Sequence, residues 1–300
     1  MSSFAPASTV PLPRSRHDSI ALLCAVLATA SFISMDSIIK LMSLRFDALQ
    51  LSFFRFAGGS VFAVALWLWK RSPLPRRAAW RPHLLRSALL LVSLVGYFFA
   101  LTRLPLVQAL TISYLAPIFV AVLSIPVLGE RPTGSIWLAL AAGLAGVVIS
   151  AYPELRASVS GGVSSQLVGM VSAAVAALSF AGVMLLARRQ SRTDSVWTIL
   201  LLQSLLPLLL LAGPAAWQWR PLQQGDVGLI LAAGGLGTLG LLSLTFAVTR
   251  LEASRVAPIE YTGLLWATVL GYVLFGELPT PATAASAVLV VGGCFLLLRR

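Results

Sequence analysis

Four ionisable residues stand inside otherwise apolar runs: Asp36 and Lys40 in "SMDSIIK", Arg55 in "LSFFRFAGG", and Glu260 in "VAPIEYTGL". Asp36 and Lys40 are four residues apart and so share one helix face. Inside a bilayer such groups are costly, at about 2.5–3.5 kcal/mol near a helix centre on insertion scales, and their retention there points to function. Arg55 suits an anion or carboxylate, which its planar fork can hold with two bonds. Asp36 is a titratable partner for it. Glu260, desolvated beside Tyr261, suits proton exchange. Structural alternatives stand beside each reading. The Lys/Arg–Asp cluster can neutralise itself and pin two helices, Lys40 can reach the outer interface, and Glu260 can pair with Arg255.

Polar and aromatic residues extend the candidate set. Tyr97, Tyr114, Tyr261 and Trp266 could line a cavity and stack on an aromatic or cationic substrate, or they could be packing aromatics. Gln203 and Ser204 are weaker candidates. The glycines of "AAGGLGTLG" read as close helix–helix packing. His17 and His83 read as lying outside the core. Trp67, Trp69, Trp217 and Trp219 read as interface anchors.

The elements that must position these groups are membrane spans. The 300-residue chain is 58% hydrophobic and only 11% charged, with a mean hydropathy of +0.90, and a soluble protein carries about twice that charge fraction. A span needs about 20 mostly apolar residues, which predicts ten crossings at 19–42, 48–69, 82–102, 105–128, 133–151, 166–187, 195–216, 227–249, 254–275 and 281–298. The net charge of +12 falls between these runs rather than in one patch, so it reads as topology and not as nucleic-acid binding. Lys and Arg concentrate on one set of connections, including Arg76, Arg77, Arg81, Arg86, Arg188 and Arg189. The other set holds Arg45, Arg103, Arg156 and Arg220. This asymmetry predicts cytoplasmic termini. Residues 1–17 read as a disordered tail rather than a cleaved leader, because the apolar run continues past "ATA". Cys24 and Cys294 fall in apolar runs and read as packing residues.

The chain also repeats itself. "RLPLVQALTISYLAPIFVAVLSIPVLGERPTG" from Arg103 aligns with "RLEASRVAPIEYTGLLWATVLGYVLFGELPTP" from Arg250 at a constant offset of 147 residues. Arg103 meets Arg250, Tyr114 meets Tyr261, and Gly129-Glu130 meets Gly276-Glu277. Five crossings per half make the second half enter inverted, a pattern of secondary transporters with their site between the repeats. Glu260 has Ser113 as its repeat partner, so that feature is asymmetric. Pro117 and Pro258 sit in the fourth and ninth crossings and mark these as gating elements.

The two "LGE-x-PT"-like turns, each followed by a small-residue apolar helix, resemble the EamA family of the drug/metabolite transporter superfamily. "IIKLMSLRFDALQLSFFRF" is similar to that family too. The resemblance covers the chain after residue 18. It implies an all-α membrane fold of two inverted five-helix repeats, 18–152 and 166–300, joined by an external linker at 153–165. It further implies that crossings 1–4 and 6–9 surround the cavity and that the fifth and tenth stand aside.

The expected function is secondary-active movement of a small polar metabolite, an amino acid or related compound. Export across the inner membrane by alternating access is expected, with proton coupling through Asp36 or Glu260. The alternative is uptake of an anionic or aromatic metabolite such as a carboxylate, a nucleoside-like compound or a vitamin. Arg55, Lys40, Tyr97, Tyr114, Tyr261, Trp266 and Gln203 are the expected substrate-binding residues. No cofactor or metal is expected, and the partners are the substrate, protons and the bilayer, with the chain a monomer or homodimer. There is no "GxxxxGK[ST]" to bind ATP, and no metal, Ser/His or paired-Asp constellation for an enzyme.

Overall fold

The computed structural model describes residues 16–75, 80–128, 164–190, 194–217, 219–248 and 262–298, together with scattered positions between 134 and 152. Ten helices span them: α1 (Arg16–Met42), α2 (Ala48–Lys70), α3 (Trp80–Leu101), α4 (Leu106–Ser113), α5 (Ala116–Leu128), α6 (Ser165–Gln190), α7 (Val196–Trp217), α8 (Asp226–Val248), α9 (Gly263–Phe275) and α10 (Pro281–Leu298). Six of them, α1, α2, α3, α6, α7 and α8, contain stretches of 22–24 residues apolar and long enough to cross a membrane. α4 with the start of α5, α9 and α10 supply shorter apolar helices. Residues 1–15 of the tail, the "GERPT" turn, the 153–163 part of the linker and part of the fifth predicted crossing lie outside the described residues, whereas Arg16 and His17, expected in the tail, begin α1.

The helix ends follow local chemistry. Asp47 caps α2 by accepting the Gln50 N–H at 2.9 Å. At the other end Arg71 takes the left-handed conformation (φ 48°) and its N–H returns to the Leu68 carbonyl. Gly276 closes α9 at φ 66° in the same way, with no Cβ to resist it. The fourth crossing, expected as one helix over 105–128, is instead broken between α4 and α5 at Tyr114-Leu115. Pro117 is the cause: it cannot donate to the Ser113 carbonyl, and its ring crowds that group. The chain tightens there, with Leu115 N–H donating to the Ile112 carbonyl at 3.0 Å.

The main packing partners are α1 with α8, α3 with α6, α2 with α7 and α8, and α4 with α9. If crossings one to five are exchanged with six to ten, α1–α8 maps onto α3–α6, α2–α8 onto a weaker contact between α3 and α7, and α2–α7 and α4–α9 each onto itself. The 147-residue repeat is thus matched by the helix pairing. α2 and α8 touch through backbone: a Cβ on Gly234 would lie 2.6 Å from Gly58 Cα, the close approach that small residues allow in a bilayer. The core gathers Ile39, Leu51, Phe54, Phe98, Leu101, Ile112 and Ile118.

The outer faces are apolar as well. Leu23 is 68% exposed, Val273 69% and Val288 72%, a surface suited to lipid rather than water. Several hydroxyls inside the helices turn back onto their own backbone. Thr29 donates to the Ala25 carbonyl, Ser37 to Ile33, Thr111 to Val107 and Thr238 to Gly234. Each donor is thereby satisfied without a second chain segment.

Candidate functional site

Asp36, Arg55 and Tyr97 come together at the seam of α1, α2 and α3. At 1.5 Å per residue they lie about 9, 10 and 6 Å from the same ends of their helices. This is the end that carries Arg45. The Asp36 side chain is buried, with the residue 6% exposed, and its Oδ2 accepts the Tyr97 hydroxyl at 3.0 Å. The Arg55 guanidinium lies in the field of that carboxylate but does not close a salt bridge with it. The ion pairs among the described residues are instead Lys40–Glu277, Arg45–Asp226 and His83–Asp194. Arg55 Nε donates to the Met35 thioether at 2.8 Å. A thioether is a weak acceptor, whereas a guanidinium makes its strongest bonds to carboxylates. A buried carboxylate and a guanidinium held apart in this way can take a polar molecule with an anionic group, Arg55 receiving that group.

Lys40 does not join this cluster, although its spacing puts it on the Asp36 face of α1. Its Nζ donates to the Leu104 carbonyl at 2.8 Å and forms an ion pair with Glu277. The second Glu277 oxygen accepts the Leu106 N–H at 2.9 Å, and the Phe275 ring centroid lies 5.2 Å from Nζ. Lys40 therefore ties α1 to the turn before α4 and to the "GELPT" turn of the second repeat. A second tie at the same end joins Arg45 to Asp226 at 3.0 Å. There the Gln50 side chain donates to the Arg220 carbonyl at 2.7 Å and accepts its N–H at 3.1 Å.

The remaining candidates divide. Tyr114 sits at the α4–α5 break with its hydroxyl against Gly263 of α9, and it contributes to the electrostatic surroundings of Tyr97. Trp266, on α9, is 39% exposed. Gln203 is engaged far from Asp36 along the bundle: its Oε1 accepts Arg86 Nη2 at 2.7 Å, while Arg86 Nη1 donates to Gln190 Oε1 at 2.9 Å. Glu260 and Tyr261 lie outside the described residues.

Two expectations are corrected at that second seam. Arg86 reads in sequence as a flanking topology charge, yet it is only 7% exposed and bolts α3 to α6 and α7. His83 is not outside the core. It is buried, with Nε2 3.1 Å from Asp194. Both follow from the first turns of α3 being wrapped by α6 and α7. Sequence reasoning also missed Glu277, quoted as part of a repeat turn but never weighed as a charge, and Gly237, read as packing although it faces Arg55. A carboxylate that recurs in both repeat turns was the available signal for Glu277. Nothing local distinguishes Gly237 from its neighbouring glycines.

Apolar helices on all sides of buried charges define a multi-pass membrane protein with an internal polar site. The chain belongs to the EamA-like transporter family, whose model matches residues 19–152 and 167–299. It is 31% identical over 282 residues to the pseudopaline exporter CntI of Pseudomonas aeruginosa strain UCBPP-PA14, covering 93% of this chain and 95% of that one. It is 23% identical over 266 residues to the S-adenosylmethionine uptake transporter of Rickettsia conorii, covering 89% and 88%. A solved structure at 21% identity shares the fold, with a TM-score of 0.61 over 95% of this chain and 97% of that one. The family and these relatives are transporters, not enzymes.

Proposed function

We propose that this chain exports a small polar metabolite bearing a carboxylate, an amino acid or related compound, across the bacterial inner membrane. The two five-helix repeats, 18–152 and 166–300, are inverted, make ten crossings and rock about the Asp36–Arg55–Tyr97 seam, with both termini cytoplasmic. One observation carries the reading: half-buried Arg55 stands beside buried Asp36 without pairing, and its Nε goes to a thioether. Arg55 takes the carboxylate, with Tyr97, Tyr114, Tyr261 and Trp266 lining the path. Asp36 and Glu260 exchange protons. The Lys40–Glu277 and Arg45–Asp226 ties close the outer end, so the conformation described is closed there. Export is supported by the name of the 31% identical relative, an exporter. The runner-up, uptake of an anionic or aromatic metabolite, is supported by the relative named for uptake.

The test is flux in proteoliposomes containing an internal pH dye, with amino acids, carboxylates, nucleoside-like compounds and aromatic cations offered in turn. An amino acid is expected to move protons, Arg55→Ala to abolish binding, and Asp36→Asn and Glu260→Gln to spare binding while removing the pH response. pH-driven flux retained in both carboxylate variants overturns the proton role. A response confined to nucleoside-like compounds or aromatic cations overturns the cargo.

A further inference from the structure

The position of the Arg55 guanidinium is set by two glycines from opposite halves of the chain. A Cβ built on Gly237 of α8 would lie 2.8 Å from Arg55 Nε, 2.5 Å from Cζ and closer still to Nη2. A Cβ on Gly59 of α2, one helical turn beyond Arg55, would lie 2.7 Å from Nη1. Real side-chain carbons do not approach so closely, so any residue larger than glycine at either place displaces the guanidinium. Neighbouring glycines of α8 have other roles. Gly234 meets the backbone of α2, and a Cβ on Gly235 would meet the Phe62 ring at 3.2 Å, a side chain able to swing away.

We infer that Gly59 and Gly237 form a slot that positions the Arg55 fork for an anionic ligand, and that Gly237 makes this position depend on α8. They are positioning residues: neither can bond a ligand through a side chain, and both act through Arg55. The slot has a physical rationale. A guanidinium has several rotatable bonds to freeze, and the Met35 thioether alone is too weak an anchor to hold it. Close approach of two glycines holds the fork without using up its donors. Because the guanidinium comes from α2 and one wall from α8, a displacement of α8 against α2 also moves the binding group. The inference rests on the carboxylate role proposed for Arg55.

The experiment follows the Arg55 Nε–H resonance in purified full-length protein labelled with 15N-arginine, assigned by its loss in Arg55→Lys. Sodium acetate serves as the minimal carboxylate probe. In the native chain acetate is expected to shift this resonance. In Gly237→Ala the resonance moves before acetate is added, and the acetate midpoint weakens by at least about tenfold. Gly235→Ala, which leaves the slot intact, keeps the native resonance and midpoint. If Gly237→Ala does not fold, Gly59→Ala is read in the same way at Nη1. A native resonance and acetate response in either folded slot variant overturns the inference. If acetate leaves the native resonance unmoved while Gly237→Ala still displaces it, the slot stands and the carboxylate reading fails.

Discussion

Two arginines inside the bundle stand at two related seams, Arg55 half-buried and Arg86 buried. Arg55 lies where α1, α2 and α8 meet, and Arg86 where α3, α6 and α7 meet. Exchanging the halves of the chain turns one set of helices into the other. Yet the environments differ in kind. Arg86 has both terminal nitrogens bonded to side-chain carbonyls, of Gln190 and Gln203. Arg55 has a thioether on Nε and glycines at its fork. A guanidinium bonded to two amide oxygens is a crosslink, whereas one given a weak acceptor and open backbone walls is available to a ligand. Burial differs between them only in degree, whereas the identity of the acceptor differs in kind.

Removing each guanidinium in turn separates the two roles most strongly. Arg55→Ala is expected to weaken cargo binding by at least about a hundredfold, the scale of a lost charge-assisted pair, with little change in thermal stability in detergent. Flux and melting curves measured together check this. Next in size, Lys40→Met removes the partner of Glu277 and unties the Arg45 end. In a chain with Cys24 and Cys294 replaced by alanine, a cysteine placed at buried Ser37 is expected to gain several-fold in maleimide labelling from that side. Unchanged labelling overturns Lys40–Glu277 as a closing contact.

Arg86→Ala should behave in the opposite manner to Arg55→Ala. It removes the guanidinium that bonds buried Gln190 and half-buried Gln203, and a buried polar group left unsatisfied costs about 1–3 kcal/mol. A lower melting temperature is expected, with cargo affinity intact in the protein that remains folded. Loss of affinity without loss of stability would place Arg86 in the binding machinery and dissolve the contrast. The smallest effect is expected from Asp194→Asn. It keeps a polar group beside His83 at the same end as Arg86 and should cost about 1 kcal/mol, read as a small melting shift with flux unchanged.

Much of this arrangement was legible in advance. Membrane insertion follows from apolar content spread along the chain. The paired halves follow from the 147-residue register of Arg103-Leu104, Tyr114 and Gly129-Glu130 with Arg250-Leu251, Tyr261 and Gly276-Glu277. Asp36 and Arg55 stood out because an ionisable residue in an apolar run is rare and costly. Lys40 stood out for the same reason, but helical spacing can say only that two side chains share a face. It cannot say that a third carboxylate, 237 residues away, competes for the ammonium. The break at Tyr114 was half legible: Pro117 marked the helix as special, and the three-dimensional chain shows the interruption itself.

By itself the amino-acid sequence determined the solvent, the repeat and the identity of the expensive charges, because these depend on composition and on spacing along one helix. Tertiary structure alone decided the partners. It sent Lys40 to Glu277 and away from Asp36, gave Arg86 to two glutamines, buried His83 against Asp194, and placed Gly237 where Arg55 needs room. The reason is the range of the interactions. Hydropathy acts over every window of about 20 residues and is visible in the chain. A hydrogen bond or a glycine slot depends on tenths of an ångström between segments far apart in sequence, and only packing brings those segments together.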